Sequence, residues 1–237
     1  MRDSAPAVLA FDAAGSACAV AVRRGGTLLA SVAAPMRRGQ AERLVPLIES
    51  ALAEAEVPAQ ALDAVAVTTG PGGFTGVRIG LAAARGYALA LGIPVIGLNR
   101  FEVTAAGIAP QTAPARIRLV ALDARRPDIY LQSFAPGGEA LAPPWTACPQ
   151  DLPAQMPIRP LLLAGDAAAT AAEALDAAGR DVIVAHDTAQ TDPAVLARLA
   201  LAKPWPSAGD APPRPLYMRA PDVTLPETAP PSIKDRP

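Results

Sequence analysis

The sequence predicts an α/β fold built from two duplicated lobes, each a βββαβα-type unit. Two stretches carry that reading. "VLAFDAAGSACAVAV" (8–22) and "LVALDARRPDIYLQS" (119–133) each run as an apolar strand ending in aspartate, a turn and a returning strand. After each start, helix-period segments alternate with short apolar runs, the grammar of strands joined by crossover helices. Composition agrees. Of 237 residues, 51% are apolar and 18% charged, enough for a core in each lobe, and with aromatics at 4% that core must be Ala, Val, Leu and Ile. The expected boundaries are a first lobe at 1–108, a second at 109–203 after the linker "APQTAPA" (109–115), and a proline-rich C-terminal arm at 204–237, extended or disordered, with ten prolines.

In order, "AVLAFD" (7–12) reads as a buried strand, "ACAVAVRR" (17–24) as its return, and "TLLASVA" (27–33) as a third strand after the Gly25-Gly26 turn. Leu44, Leu47, Ile48, Ala51, Leu52 and Ala55 then fall on one face of a helix spanning 40–55, with Pro46 expected to delay or kink it. "AVAVTT" (64–69) is a strand, the segment to about Leu91 a helix, "PVIGLN" (94–99) a strand and 100–108 a short helix. The second half gives strands at 117–124, 129–135, 160–166 and 181–185, an Ala-rich helix to about Gly179, and a helix over 193–202.

A formal net charge of −1 gives no basic footprint of the kind an autonomous nucleic-acid binder carries. Cys18 and Cys148 form no CxxC pair and read as small apolar residues in a reducing compartment. Neither a signal peptide nor a membrane span is read from the chain, so the expected location is the cytoplasm.

The segment "TTGPGGFTGVRIG" (68–80) raises the question of chemistry, because it passes from a strand through Gly70, Gly72, Gly73 and Gly76 into a helix start. A P-loop would follow its last glycine with Lys-Ser/Thr, whereas Val77-Arg78 follow Gly76, and the GxGxxG spacing is broken by Pro71. The reading favoured is a sharp turn with close approach of another segment, not a phosphate cradle. Asp12, Gly15 and Ser16 could hold a phosphate or steer a metal, or simply form a β-turn. The counterpart Asp123-Ala124-Arg125-Arg126-Pro127 lacks the glycine, which argues against a self-sufficient ATPase. Gly80, Ala84 and Ala88 give the following helix a smooth face. The single histidine, His186, reads as a structural residue at an apolar strand end, and no metal or Ser-His-Asp pattern stands around it.

"GPGGFTGVRIGLAAARGYALALGIPVIGLN" resembles the signature of the TsaB (YeaZ) proteins, whose relatives typically carry GPGSFTGxRIG. The likeness extends to "VLAFDAAGSACAVAV", "ERLVPLIESAL", "LVALDARRPDIYLQSF" and "PRPLYMRAPDVTLP". It implies an actin-like ASKHA (RNase H-like) fold and a part in forming N6-threonylcarbamoyladenosine at position 37 of tRNA. In that family TsaB is the dimerisation subunit of a catalytic TsaD subunit, and a TsaE ATPase docks on the pair. Gln40 stands where relatives often have histidine, which strengthens a non-catalytic reading. Gly73 stands where they have serine, so a side-chain hydroxyl there is not expected to be essential; the old glycopeptidase label finds no nucleophile here.

The expectation is a scaffold that activates a TsaD-like subunit, without intrinsic cofactor or metal, with ATP and metal on the partner subunits and tRNA met indirectly. Leu44, Leu47, Ile48, Ala51, Arg78, Leu81 and Arg85 are expected at the partner interface. Asp12, Gly15, Gly72 and Gly73 are candidates for nucleotide contact only within the complex. The alternatives are an ATP-dependent phosphotransferase or ATPase acting on its own, and a homodimer when the partner is missing.

Overall fold

Two five-stranded mixed sheets frame the molecule in a computed structural model that describes residues 5–36, 38–109, 112–207 and 210–219. The first contains β1 (Ala7–Asp12), β2 (Ala17–Arg24), β3 (Thr27–Pro35), β4 (Ala64–Thr68) and β5 (Val95–Leu98), ordered β3-β2-β1-β4-β5. The second contains β6 (Ile117–Asp123), β7 (Ile129–Phe134), β8 (Trp145–Ala147), β9 (Leu161–Ala164) and β10 (Val182–Val184), ordered β10-β9-β6-β7-β8. The two orders are the same when each sheet is read from its own third strand, so the duplication expected from the sequence is present. In each lobe the first strand pairs antiparallel with the second and parallel with the fourth. Both β1 and β4 are buried along their whole length, which is why they read as unbroken apolar runs rather than alternating ones.

Among the described residues, six α-helices flank the sheets: α1 (Gln40–Glu54), α2 (Phe74–Leu91), α3 (Arg100–Gly107), α4 (Leu152–Gln155), α5 (Ala168–Asp176) and α6 (Pro193–Ala202). Leu44, Leu47, Ile48 and Ala51 of α1, with Val77, Leu81 and Ala84 of α2, close one face of the first sheet against Leu9, Phe11, Val20 and Val65. Each large apolar side chain among them, fully buried, contributes roughly 1.5–3 kcal/mol. Pro46 neither delays nor breaks α1, which begins at Gln40 and runs through it. It lies on the exposed side, so the carbonyl freed one turn back, at exposed Glu42, faces water.

The last helix of each half crosses to the other sheet. Helix α3 packs on β6 and β7, while α6, which follows the second half in sequence, packs on β1, β2 and β4. Asn99 starts α3 by accepting from the Glu102 amide at 2.8 Å, and Asp192 starts α6 by accepting from the Ala194 amide at 2.8 Å, with Pro193 in its first turn. The described part of the C-terminal arm has neither helix nor strand; it runs along the first lobe, with the Leu216 amide donating to the Thr69 carbonyl at 2.8 Å, and ends against Val120 and Leu122 of the second lobe. The rest of the expected arm, 220–237, lies outside the described residues.

Candidate functional site

The carboxyl ends of β1 and β4 meet at the mouth between the lobes, and this is where the glycine run falls. Asp12, 2% exposed, is consumed locally: it accepts from the Ala14 amide at 3.1 Å, the Gly15 amide at 3.3 Å and the Thr68 hydroxyl. The Gly73 amide donates to the Ala14 carbonyl at 2.8 Å, stitching the two turns together. A Cβ on Gly72 or Gly76 would come nearer than 3.0 Å to the carbonyl oxygens of Ala14 and Ala13 respectively. Those two glycines exist because another backbone passes where a side chain would be. Behind this turn, burial and then the Asp12 carboxylate push the Cys18 thiol up to about 11, with Arg43 opposing them, so it is a neutral core thiol.

Arg100 fills the floor of the mouth. It is 1% exposed and donates to the Pro71 carbonyl at 3.1 Å, the Thr191 hydroxyl at 3.0 Å and the Asp166 carboxylate at 3.3 Å. The other oxygen of Asp166 accepts from the Asp123 amide at 2.8 Å, so one guanidinium joins the glycine loop to the second lobe. The second hairpin turn differs from the first. Asp123 is exposed and accepts from the Arg125 amide at 2.6 Å, and Arg125 adopts φ 56, the left-handed region. The Arg125 guanidinium reaches across to Gly73, where a Cβ would lie 3.2–3.3 Å from its atoms.

Asp12, Gly15, Gly72 and Gly73 are therefore together, but their geometry is explained by chain packing. In this arrangement the Asp12 carboxylate is already satisfied, Gly15 backs onto Arg100, and the Arg125 guanidinium lies beside Gly73. Among the described residues, no group of three or more His, Cys, Asp or Glu side chains could hold a metal ion. His186 lies in the turn just after β10, as expected of a strand end, but it is exposed, a correction to its reading as a structural residue.

The interface expectation is corrected in part. Leu44, Leu47, Ile48, Ala51 and Leu81 are buried in the first lobe's own core, and Gly80 and Ala84 face the same sheet. A helix's apolar stripe first serves the sheet beneath it, so the periodicity marked the inward side. Arg78 and Arg85 do face outward. Arg85 donates to the Pro213 carbonyl at 2.8 Å, and Arg78 donates to the Tyr217 hydroxyl at 2.9 Å, so both are engaged by the arm. The outward side of the two helices presents Val45, Ala82, Gly86 and Leu89. Tyr87, partly buried, has its hydroxyl pKa raised by burial and then by Glu49 of the neighbouring helix.

Sequence reasoning missed Arg100, Asp166 and the Phe74–Tyr217 contact. Asp166 carried a signal, since "LLLAGD" ends a strand in aspartate as "VLAFD" does; Arg100 carried none. Among the described residues, no helix is long and apolar enough to cross a membrane.

Residues 27–156 match the family model described as TsaD, tRNA N6-adenosine threonylcarbamoyltransferase. The tRNA threonylcarbamoyladenosine biosynthesis protein TsaB of Escherichia coli (strain K12) is 35% identical over 127 residues, 54% of this chain and 54% of that protein. The chain thus spans about half the length of the curated relatives it matches. YeaZ from Pseudomonas aeruginosa superposes with a TM-score of 0.70 at 28% identity, covering 90% of this chain and 99% of that one. The Acidaminococcus fermentans (R)-2-hydroxyglutaryl-CoA dehydratase component A, at 10% identity, covers 84% of this chain and 98% of that one with a TM-score of 0.55, a likeness of fold alone. The duplicated lobes are those of the actin-like ASKHA fold.

Proposed function

Because this chain belongs to the tRNA N6-adenosine threonylcarbamoyltransferase (TsaD) family, in its TsaB (YeaZ) branch, we propose that it is a non-catalytic subunit of a tRNA-modifying complex. It pairs with a TsaD-like catalytic chain in forming N6-threonylcarbamoyladenosine at tRNA position 37, holds that chain in its active arrangement, and helps a TsaE-like ATPase to dock. The observation that carries the reading is the occupied floor of the mouth between the lobes. Asp12 spends both carboxylate oxygens on local donors, and Arg100 occupies the floor, which supports a subunit whose catalytic partner groups are supplied by another polypeptide.

The partner contact is assigned to the outward sides of α1 and α2, around Val45, Ala82 and Leu89, together with Arg78 and Arg85. An exposed apolar face of this kind also supports self-association when the partner is missing. The test is co-purification of the full chain with a TsaD-like protein, followed by a tRNA modification assay. Val45→Asp should leave folding intact while pairing and modification fall together; unchanged pairing would remove this face from the interface. Calorimetry of the isolated chain with ATP and magnesium addresses the whole reading. Tight binding with hydrolysis, abolished by Asp12→Ala, would make the chain an enzyme in its own right.

A further inference from the structure

The formal net charge of the chain is −1, yet positive groups are concentrated along one groove. Three hollows of about 370, 520 and 570 Å³ share Gly72, and neighbouring ones share Phe74 with Tyr130 or Arg38 with Arg125, so they form one continuous channel. Its walls carry Arg38, Arg78, Arg100, Arg125, Arg126 and Arg219 against the carboxylates of Asp123 and Asp166. Arg219 also pairs with Asp128 and Arg100 with Asp166, so the positive character of the outer tier is set by Arg38, Arg78 and Arg125. A groove with an excess of one sign of charge concentrates the opposite sign even on a protein whose total charge is near zero.

One wall is aromatic. The rings of Phe74 and Tyr217 stack with centroids 5.6 Å apart, and the Arg78 guanidinium lies 3.7 Å above the Phe74 centroid. The Arg78–Tyr217 hydrogen bond, at 2.9 Å, fixes the arm to the helix, so the platform is organised in advance. Even so, Phe74 is 49% exposed and Tyr217 46%. A rigid, half-exposed aromatic surface bordered by arginines is how proteins seat unpaired bases and their phosphates.

We propose that this groove takes a single-stranded segment of RNA, its bases stacked against Phe74 and Tyr217 and its phosphates held by Arg38 and Arg125. The occupant's identity as a substrate tRNA rests on the function proposed above; the binding chemistry does not. A groove favours an extended strand over a folded acidic protein, and the filled floor keeps the strand in the outer tier, away from Asp12 and Arg100.

The experiment titrates the full chain, without partner, into a fluorescein-labelled single-stranded RNA decamer, and follows anisotropy across a salt series. Saturable binding is expected. Arg38→Ala and Arg125→Ala should each flatten the slope of log K against log salt by about 0.7. Phe74→Ala should weaken binding by roughly 5- to 150-fold with the slope unchanged. Ile158→Ala, at an exposed position of the second lobe, should change nothing. Failure to saturate, equal affinity for the duplex of the same sequence, indifference to Phe74→Ala, or equal competition by polyglutamate would overturn the proposal; the last outcome would make the occupant an acidic protein segment. No RNA binding by the unsubstituted chain, with pairing and tRNA modification intact, would sink the groove and spare the subunit reading. No pairing by the unsubstituted chain, with RNA binding intact, would do the reverse.

Discussion

The two hairpin turns at the mouth between the lobes began as copies and have diverged. In each lobe the turn after the fourth strand packs a glycine onto a carbonyl of the first: Gly76 onto Ala13 beyond β1, and Gly165 onto Ala121 within β6. At the hairpin tips the resemblance stops. The first lobe turns with Ala13, Ala14 and Gly15 around an inward carboxylate, whereas the second turns with Ala124 and Arg125 around an outward one. One tip closes on itself and the other sends a guanidinium across the gap. The lesson is that the fold-holding contacts occur in duplicate, while the residues facing the gap differ between the lobes.

The largest effects should come from breaking what the lobes share. Gly165→Ala places a Cβ against the Ala121 carbonyl at φ 107, so overpacking and left-handed strain add, for a loss of about 4 kcal/mol. Gly76→Ala meets the Ala13 carbonyl without the strain, and about 3 kcal/mol is expected. Urea denaturation of the two variants checks both size and order; a loss under about 1 kcal/mol at Gly76 would mean that the start of α2 moves freely away from β1.

Next comes the bridge between the lobes. Arg100→Met removes three donors from a buried position and leaves Asp166 facing a void in its network, which should cost about 2–3 kcal/mol. Asp166→Asn should cost less when added to the Arg100→Met variant than when made alone, because the ion pair is then already lost and the amide oxygen still accepts from Asp123. Simple additivity in this double-mutant cycle would show that the two side chains do not act as a pair.

How much of this was legible depends on whether the signal was local. The β-hairpins, the duplication and the α2 turn came through, because apolar runs bounded by Gly and Asp report local geometry. Strand β8 and helix α4, of three and four residues, are too short to show a period. Leu44, Leu47 and Ile48 showed which side of α1 is apolar, but periodicity is silent on whether a sheet or a partner covers it. Arg100 sits in "LNRFEV" like any surface arginine; its burial is decided by Pro71, Asp166 and Thr191, distant in sequence.

A smaller effect separates the two tips. Arg125→Gly relieves a left-handed residue, worth about 1–2 kcal/mol, and returns part of it as added freedom of the unfolded chain. The expected result is a gain of about 1 kcal/mol in stability together with weaker RNA binding, because the same substitution removes a cation from the groove. A variant that is destabilised instead would show that the Arg125 side chain supports the fold through its approach to Gly73.

The smallest effect contrasts two glycines within α2. Gly76 abuts a carbonyl, but a Cβ on Gly86 meets nothing within 4 Å. An exposed glycine in mid-helix is destabilising by about 0.5–1 kcal/mol relative to alanine, so Gly86→Ala should raise the denaturation midpoint where Gly76→Ala lowers it. The isolated chain therefore gives Gly86 no structural reason to remain glycine. If α2 is approached closely by a partner chain, the same Gly86→Ala variant should pair more weakly while folding more stably, and comparing denaturation with co-purification separates these two quantities. Gains in both would place the partner's closest approach elsewhere on the helix, nearer Val45 of α1 or Arg78.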